Sequence, residues 1–560
     1  MKPKRPSLPH LLLAAALLAT AVLAACAAPP RPAAPPAPPD GWQRDAIFYG
    51  VYVRAFHDSG FDGYGDLNGL LAKLDYLNDG DPATTDDLGV NALWLLPVTQ
   101  AAGLDDYAVL DYQAIHADYG DQAAFRRLVA AAHARGMRVI VDLALNQTAA
   151  NHPWFIAAQD PADPRRDWYV WIDHDPAEFG PNNQPVWHQM GDAHYYGIFG
   201  ADKPDLNYEN PAVTAAMIAV ARFWLAEMGV DGLRLDAIHY LIADETQQNN
   251  TQATLDWLAA FNTALKAAHP AALLVGDAVG DAETVARYVA QGAVDLGLAY
   301  TLADGLLFSV DNNDPTALRG RLSETLYRQP DGRFATFLTT PRQDRAMRRV
   351  QQLEQNPAKA RLAATALLTL PGVPFLLYGD ELGLSGRARD GSALGPMPWD
   401  GGLHGGFSVN APWRPFSEEP QSLNVAMQSA DPDALLNHYR RLIRLRRAHV
   451  ALRRGGLATF DGNCGGALAY LRHMPATAVA PADSVITLLN FARAPQSDCR
   501  FSLERSDLAP GVYALRDGLT GVEAGEMTVG ENGRIADFAP FTAPLPAHGS
   551  LILVVESGES

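Results

Sequence analysis

The chain is predicted to be an α/β protein, a parallel sheet covered by helices, followed by an all-β C-terminal domain. Three observations predict it. Short apolar runs alternate with helical periodicities over roughly 400 residues, the pattern of repeated βα units. Eight such units would close a barrel whose functional groups sit at the C-terminal ends of the strands. The doubly wound alternative calls for a Gly-rich phosphate loop after an early strand, and neither G-x-G-x-x-G nor a Walker motif occurs. Beyond about residue 456 the helical periodicity stops and short alternating segments at 467–471, 484–489 and 551–555 read as a β-sandwich.

In chain order, residues 1–25 come first, as a targeting segment. Lys2, Lys4 and Arg5 form a basic n-region, and Leu11 to Ala25 is an apolar stretch of 15 residues, short of the roughly 20 that span a bilayer. It ends in Leu23-Ala24-Ala25-Cys26, which resembles a bacterial lipobox and implies lipidation at Cys26. Residues 26–40 carry seven prolines and read as a polyproline II spacer of about 40 Å. The expectation is an extracytoplasmic bacterial lipoprotein, anchored to a membrane through its lipid.

Residues 41–455 carry the βα pattern. Candidate strands lie at 47–53, 92–96, 138–143, 232–235, 273–276, 334–338 and 373–378. Leu67, Leu70, Leu71, Leu74 and Leu77 share one helical face, as do Phe125, Leu128, Val129 and Ala132 ahead of Gly136, a C-cap. Residues 147–204 are rich in Trp, His, Asp, Asn and Pro without helical period, an insertion after one strand. The last segment, 456–560, is the β-sandwich.

Composition excludes several classes. With 48% apolar residues in 560 the chain has material for a large core. A balance of 44 basic against 63 acidic residues, net −19, argues against nucleic-acid binding. Three cysteines are too few for a disulfide framework; Cys464 and Cys499 can pair in an oxidising compartment or remain separate buried thiols.

Nine segments, in order, reach a family: DAIFYGVYVRAF (45–56), FDGYGDLNGL (61–70), NALWLLPV (91–98), VIVDLALNQTAANHPWF (139–155), KPDLNYENP (203–211), GVDGLRLDAIHYL (229–241), FLTTPRQDR (337–345), LPGVPFLLYGDELG (370–383) and GPMPWD (395–400). Together they resemble glycoside hydrolase family 13, the α-amylase family, and its oligo-α-glucosidase-like branch, over residues 42–560. The resemblance implies a (β/α)8 TIM barrel with a domain B inserted after the third strand and a C-terminal β-sandwich. It implies an α-glucan or α-glucoside ligand and no organic cofactor. The family reaction is retaining cleavage: one carboxylate attacks the anomeric carbon, a second carboxylic acid protonates the leaving oxygen, and the transition state is positive.

The resemblance assigns the nucleophile position to Asp236, with Arg234 two residues earlier on the same strand face. The acid position is Asp277, where the family has Glu; the lost methylene withdraws its oxygen by roughly 1–1.5 Å, and about 1 Å of misplacement can cost on the order of 100-fold. The third carboxylate is replaced by Arg342. A guanidinium about 4 Å from Asp236 would interact with it by about 4 kcal/mol at an effective dielectric of 20. Around the sugar, Asn146 is kept, the family His is Gln147, Tyr107 keeps an aromatic platform, and the following carboxylate is Ala108. The loop DSGFDGYGD resembles the family's N-terminal calcium loop, with Asp58, Asp62, the Tyr64 carbonyl and Asp66 as oxygen ligands and Gly60 in place of an Asn.

Three readings follow. In the first, a tethered family-13-like protein binds α-glucans or a partner with little or no hydrolysis. In the second, a working retaining α-glucosidase or α-amylase uses Asp236 and Asp277. In the third, the barrel is a non-catalytic adaptor for a protein partner whose identity the sequence leaves open.

Overall fold

Eight short strands, buried along their whole length except at Arg138, close into a parallel barrel. They are β1 (Phe48–Val51), β2 (Ala92–Leu95), β3 (Arg138–Ala144), β4 (Gly232–Asp236), β5 (Leu273–Gly276), β6 (Leu296–Leu298), β7 (Phe334–Phe337) and β8 (Val373–Leu377). Neighbours in sequence are neighbours in space, and β1 pairs with β8 to complete the ring. Burial on both faces is what a sheet sheathed by helices requires, and it explains why the strands read as apolar runs rather than alternating ones. The computed structural model describes residues 41–557 except 104–105, 182, 245–246, 342, 347–355, 388–390, 479 and 542. The expected signal segment 1–25, the spacer 26–40, Cys26 and Arg342 therefore lie outside the described residues.

Seven of these strands coincide with the runs seen in the sequence. The eighth, β6, is three residues of Leu-Gly-Leu, too short for periodicity to register. The helix over Gln122–Ala134 begins where the Asp121 side chain accepts from the Ala124 amide and ends before Gly136 at φ 74°, a left-handed C-cap. The leucine face from 67 to 77 is two helices, Leu67–Ala72 and Leu74–Leu77, broken at Lys73. Gly50 of β1 sits opposite Trp94 of β2, and a Cβ there would fall 2.7 Å from the indole ring. The missing side chain makes room for Trp94, which reaches the site described below.

After β3 the chain runs into the inserted region. It holds the helix Pro153–Ala158 and a three-stranded antiparallel sheet in which Ala193–Tyr196 lies between Trp171–Ile172 and Trp187–Met190. Gln147 and Asp205 bridge its two ends.

The C-terminal segment forms two antiparallel sheets over a shared core that includes Leu488, Leu553, Phe501 and Ile535. Its strands are β9 (Gly456–Thr459), β10 (Asp461–Gly462), β11 (Ala467–Met474), β12 (Asp483–Asn490), β13 (Phe501–Leu503), β14 (Gly511–Asp517), β15 (Glu523–Val529), β16 (Ile535–Phe538) and β17 (Ser550–Ser557). The larger sheet runs β9-β11-β12-β17-β14-β15 and the smaller β10-β13-β16. Cys464 and Cys499 are disulfide-bonded with Cα atoms 5.6 Å apart, joining the segment after β10 to the residues before β13.

Candidate active site

The site is built on one buried guanidinium. Arg234 is the central residue of β4, in register with Asp142 of β3 and Val275 of β5. Its side chain lies in the barrel interior, where water cannot screen it. Three carboxylates meet it. Nη1 donates to Asp142 Oδ2 at 3.1 Å and to Asp236 Oδ1 at 2.7 Å, and Nη2 donates to Asp277 Oδ2. Burial opposes the Arg234 charge, but the charges of Asp142 and Asp277, with smaller contributions from Tyr107 and Asp236, outweigh it and hold it charged well above its ordinary range.

Asp236 is the last residue of β4, and Ala237 after it sits at φ 49°, ψ 35°. A left-handed alanine costs on the order of 1 kcal/mol or more, a strain concentrated at functional turns. It turns the chain sharply at the barrel mouth directly after the carboxylate that the resemblance makes the nucleophile.

Asp277 follows β5. Both of its oxygens accept: Oδ2 from Arg234 and Oδ1 from the Tyr300 hydroxyl at 2.7 Å. The guanidinium at Oδ2 can only donate, whereas the Tyr300 hydroxyl at Oδ1 can donate or accept. A general acid needs an oxygen that carries a proton and projects toward the leaving group. The Asp277 side chain is held in the ion-pair cluster by Arg234 and by Tyr300.

Asp142 lies at the centre of the cluster without having been singled out by the sequence. Trp94 Nε1 donates to its Oδ1 at 2.6 Å and the Tyr107 hydroxyl to its Oδ2 at 2.7 Å. Burial pushes its pKa up to about 6, against the pull of Arg234 and with a further push from Asp236. The available signal was an acidic residue inside the otherwise apolar run VIVDLAL. Tyr300 was missed for a different reason: it opens the helix after β6, the strand too short to be read.

The positions that the resemblance places beside the sugar converge in part. Tyr107 is half-buried with its hydroxyl committed to Asp142 and 3.4 Å from Arg234 Nη1, so only its ring face can serve a ligand. Gln147 donates its amide to the Tyr107 carbonyl at 3.1 Å, while its Oε1 is buried without a partner among the described residues. Asn146 lies beside Asp205 of the KPDLN segment, whose carboxyl burial pushes well above the usual range. Ala108 is buried. Arg342 lies outside the described residues; Thr340 and Pro341 before it are buried. Arg345 is spent on the scaffold, donating to the Ala393 and Tyr378 carbonyls.

The expected calcium loop is a self-closed turn. Asp58 accepts from the Phe61 and Gly63 amides and the Ser408 hydroxyl, and Asp66 from the Ser59, Gly60 and Gly69 amides and the Ser59 hydroxyl. The exposed Asp62 accepts from the Tyr64 amide. A Cβ at Gly60 would lie 3.7 Å from Asp58 Oδ1 and 3.8 Å from Asp66 Oδ2, so the missing side chain is the one that would complete an oxygen set there. Among the described residues no group of three or more His, Cys, Asp or Glu is placed to hold a metal ion. Asp58 and Asp66 fold the loop through these bonds, and Asp62 is exposed beside them.

Comparison with known proteins agrees with this geometry. A family model described as the α-amylase catalytic domain matches residues 50–455. Alpha-amylase 3 of Dictyoglomus thermophilum is 31% identical over 433 residues, covering 77% of this chain and 82% of the relative. The trehalose synthase/amylase TreS of Mycobacterium tuberculosis is 33% identical over 518 residues, covering 81% of this chain and 83% of the relative. Among solved structures, the α-amylase from H. orenii superposes with a TM-score of 0.77 at 32% identity, covering 91% of this chain and 99% of that one. The barrel, its inserted region and the arginine-centred carboxylates at its mouth thus sit in a chain that belongs to the α-amylase family.

Proposed function

We propose that this protein recognises α-glucans or α-glucosides at the C-terminal mouth of its barrel and turns them over weakly or not at all. The observation that carries this reading is the capture of Asp277 between Arg234 and Tyr300. Retaining hydrolysis asks two carboxyl groups for opposite behaviour, one ionised and one carrying a proton. Here both accept from the same guanidinium. Gln147 and Ala108 remove two groups that position the sugar in the family, and Arg342 places a positive charge in the sequence where the transition state is positive. In the same proposal Cys26 carries a lipid, and the protein works outside the cytoplasm on a Pro-rich tether.

The test pairs binding with turnover. Titration calorimetry with maltooligosaccharides should show saturable binding, while turnover on maltose, isomaltose, trehalose and soluble starch should fall far below the ordinary enzyme range of about 1–1000 per second. Turnover within that range on any of them, abolished by Asp236→Ala, would sink the reading.

A second reading is favoured by the retained Asp236–Arg234 pair and by relatives whose names are amylase, trehalose synthase and α-glucosidase. It is a functional retaining enzyme using Asp236 as nucleophile and Asp277 as acid/base. The same turnover measurement separates the two. An absence of saccharide binding would point instead to an adaptor barrel.

A further inference from the structure

We infer that a small cleft at the N-terminal end of the barrel, walled by β9 of the C-terminal domain, binds a phosphoryl group or a similar tetrahedral oxyanion. Arg44, Arg453, Arg454 and Arg472 line it, with Asp331 as the carboxylate and Gly456 at the wall. It adjoins the turn before β7 and the start of β8, so it lies at the opposite end of the strands from Asp236 and Asp277. Its volume of about 70 Å³ suits a compact anion rather than a sugar chain, given about 30 Å³ for one water.

Among the described residues, the arginines here outnumber the carboxylates paired with them. Arg454 grips Asp45 with two bonds, Nε to Oδ1 at 2.9 Å and Nη2 to Oδ2 at 2.5 Å, and Arg453 Nε lies 3.6 Å from the same Oδ1. One carboxylate thus serves two arginines. Arg44 donates to the main-chain carbonyl of Asp331, whose carboxylate is engaged by Arg333. Among the described residues Arg472, 1% exposed, has only carbonyl partners, those of Thr369, Gly455 and Gly456. Behind it Arg446, also 1% exposed, donates to the Leu368, Leu370 and Gly372 carbonyls, and its Nε has no partner among the described residues.

In a chain of net charge −19, this concentration of guanidinium groups calls for an anion. Burial, then the charges of Arg472 and Arg453, push Arg446 down to about 9, and burial pushes Arg472 down to about 10. Both stay charged at neutral pH, so their repulsion persists until an anion offsets it. Planar forks with several donors match phosphate oxygens better than they match a halide.

The full chain is titrated with inorganic phosphate at constant ionic strength, against chloride, by calorimetry and thermal melting. Saturable binding and a rise in Tm in phosphate are expected. Arg453→Gln should weaken phosphate binding by about 10-fold. Gly456→Glu should do the same without removing an arginine. A Cβ there meets nothing within 4 Å, so the chain should fold normally and place its own carboxylate at the cleft. Absence of saturable binding up to about 10 mM phosphate, or equal affinity in both variants and the wild type, overturns the proposal. Phosphatidylglycerol vesicles provide a second arm: competition with phosphate marks a lipid headgroup as the source, its absence marks a free phosphate, and either result keeps the site.

Discussion

Arg234 holds Asp236 and Asp277 at once, Nη1 on the first and Nη2 on the second. The two carboxylates to which the family resemblance assigns the nucleophile and acid positions therefore share one counter-charge. Lengthening the Asp277 side chain by one methylene is the smallest change that can free its oxygen from this grip.

That leads to the first prediction. Arg342→Asp alone should recover little α-glucosidase activity, because Asp277 stays withdrawn. Arg342→Asp with Asp277→Glu should exceed the product of the two single effects, with a gain on the order of 100-fold over wild type. Turnover of maltose by the four proteins is the measurement. A double variant equal to the product of the singles would show that the positions act independently.

Asp142 gives a pH prediction. Its folded-state pKa is raised to about 6 from 3.8. Between those values the folded chain holds a proton that the unfolded chain has released. Its contribution is therefore fully present below about pH 4 and lost as pH rises through about 6, worth about 3 kcal/mol. Asp142→Asn should flatten the wild-type fall in stability across that window. Urea unfolding at several pH values reads it; an unchanged slope would contradict it.

The Cys464–Cys499 bond closes a loop with a sequence separation of 35. Replacing both cysteines by serine should lower stability by about 3–4 kcal/mol in the chain-entropy picture. Two titratable thiols in non-reduced, purified protein would remove the basis for this.

Membrane association should depend on Cys26. A Cys26→Ala variant is expected in the soluble fraction after high-salt washing. Its continued pelleting with membranes would rule out the lipid tether.

Calcium should leave the melting temperature unchanged at millimolar concentration, because the loop's own amides and hydroxyls already bond the Asp58 and Asp66 carboxylates. A calcium-dependent rise in Tm would mean that Asp62 can be drawn into a ligand set.

The fold was legible because a sheathed parallel strand has to be apolar throughout, and seven of the eight barrel strands announce themselves that way. The missing β6 is short, and a glycine interrupts it. Asp236, Asp277 and Arg234, singled out in the sequence by residue type and motif, do lie together in one cluster. The site was not legible where the role belongs to a contact. Nothing in the string of letters shows that Tyr300, after β6, reaches Asp277 at the end of the neighbouring β5, or that Trp94 reaches Asp142 because Gly50 yields space. Asp58 and Asp66 show the converse: their spacing resembles a metal loop, and the hydrogen bonds through which they hold the turn are not written in it.

The seam between β1 and β8 has a kinetic consequence. Phe48 is in register with Phe375 and stacks on it with ring centroids 4.3 Å apart, so the ring cannot shut until nearly the whole barrel segment is available. Contacts so distant along the chain make closure a late and slow event. A chain that emerges N-terminus first must shelter an unpaired, fully apolar edge at β1 until β8 arrives. The protein is thus most exposed to aggregation during its own synthesis.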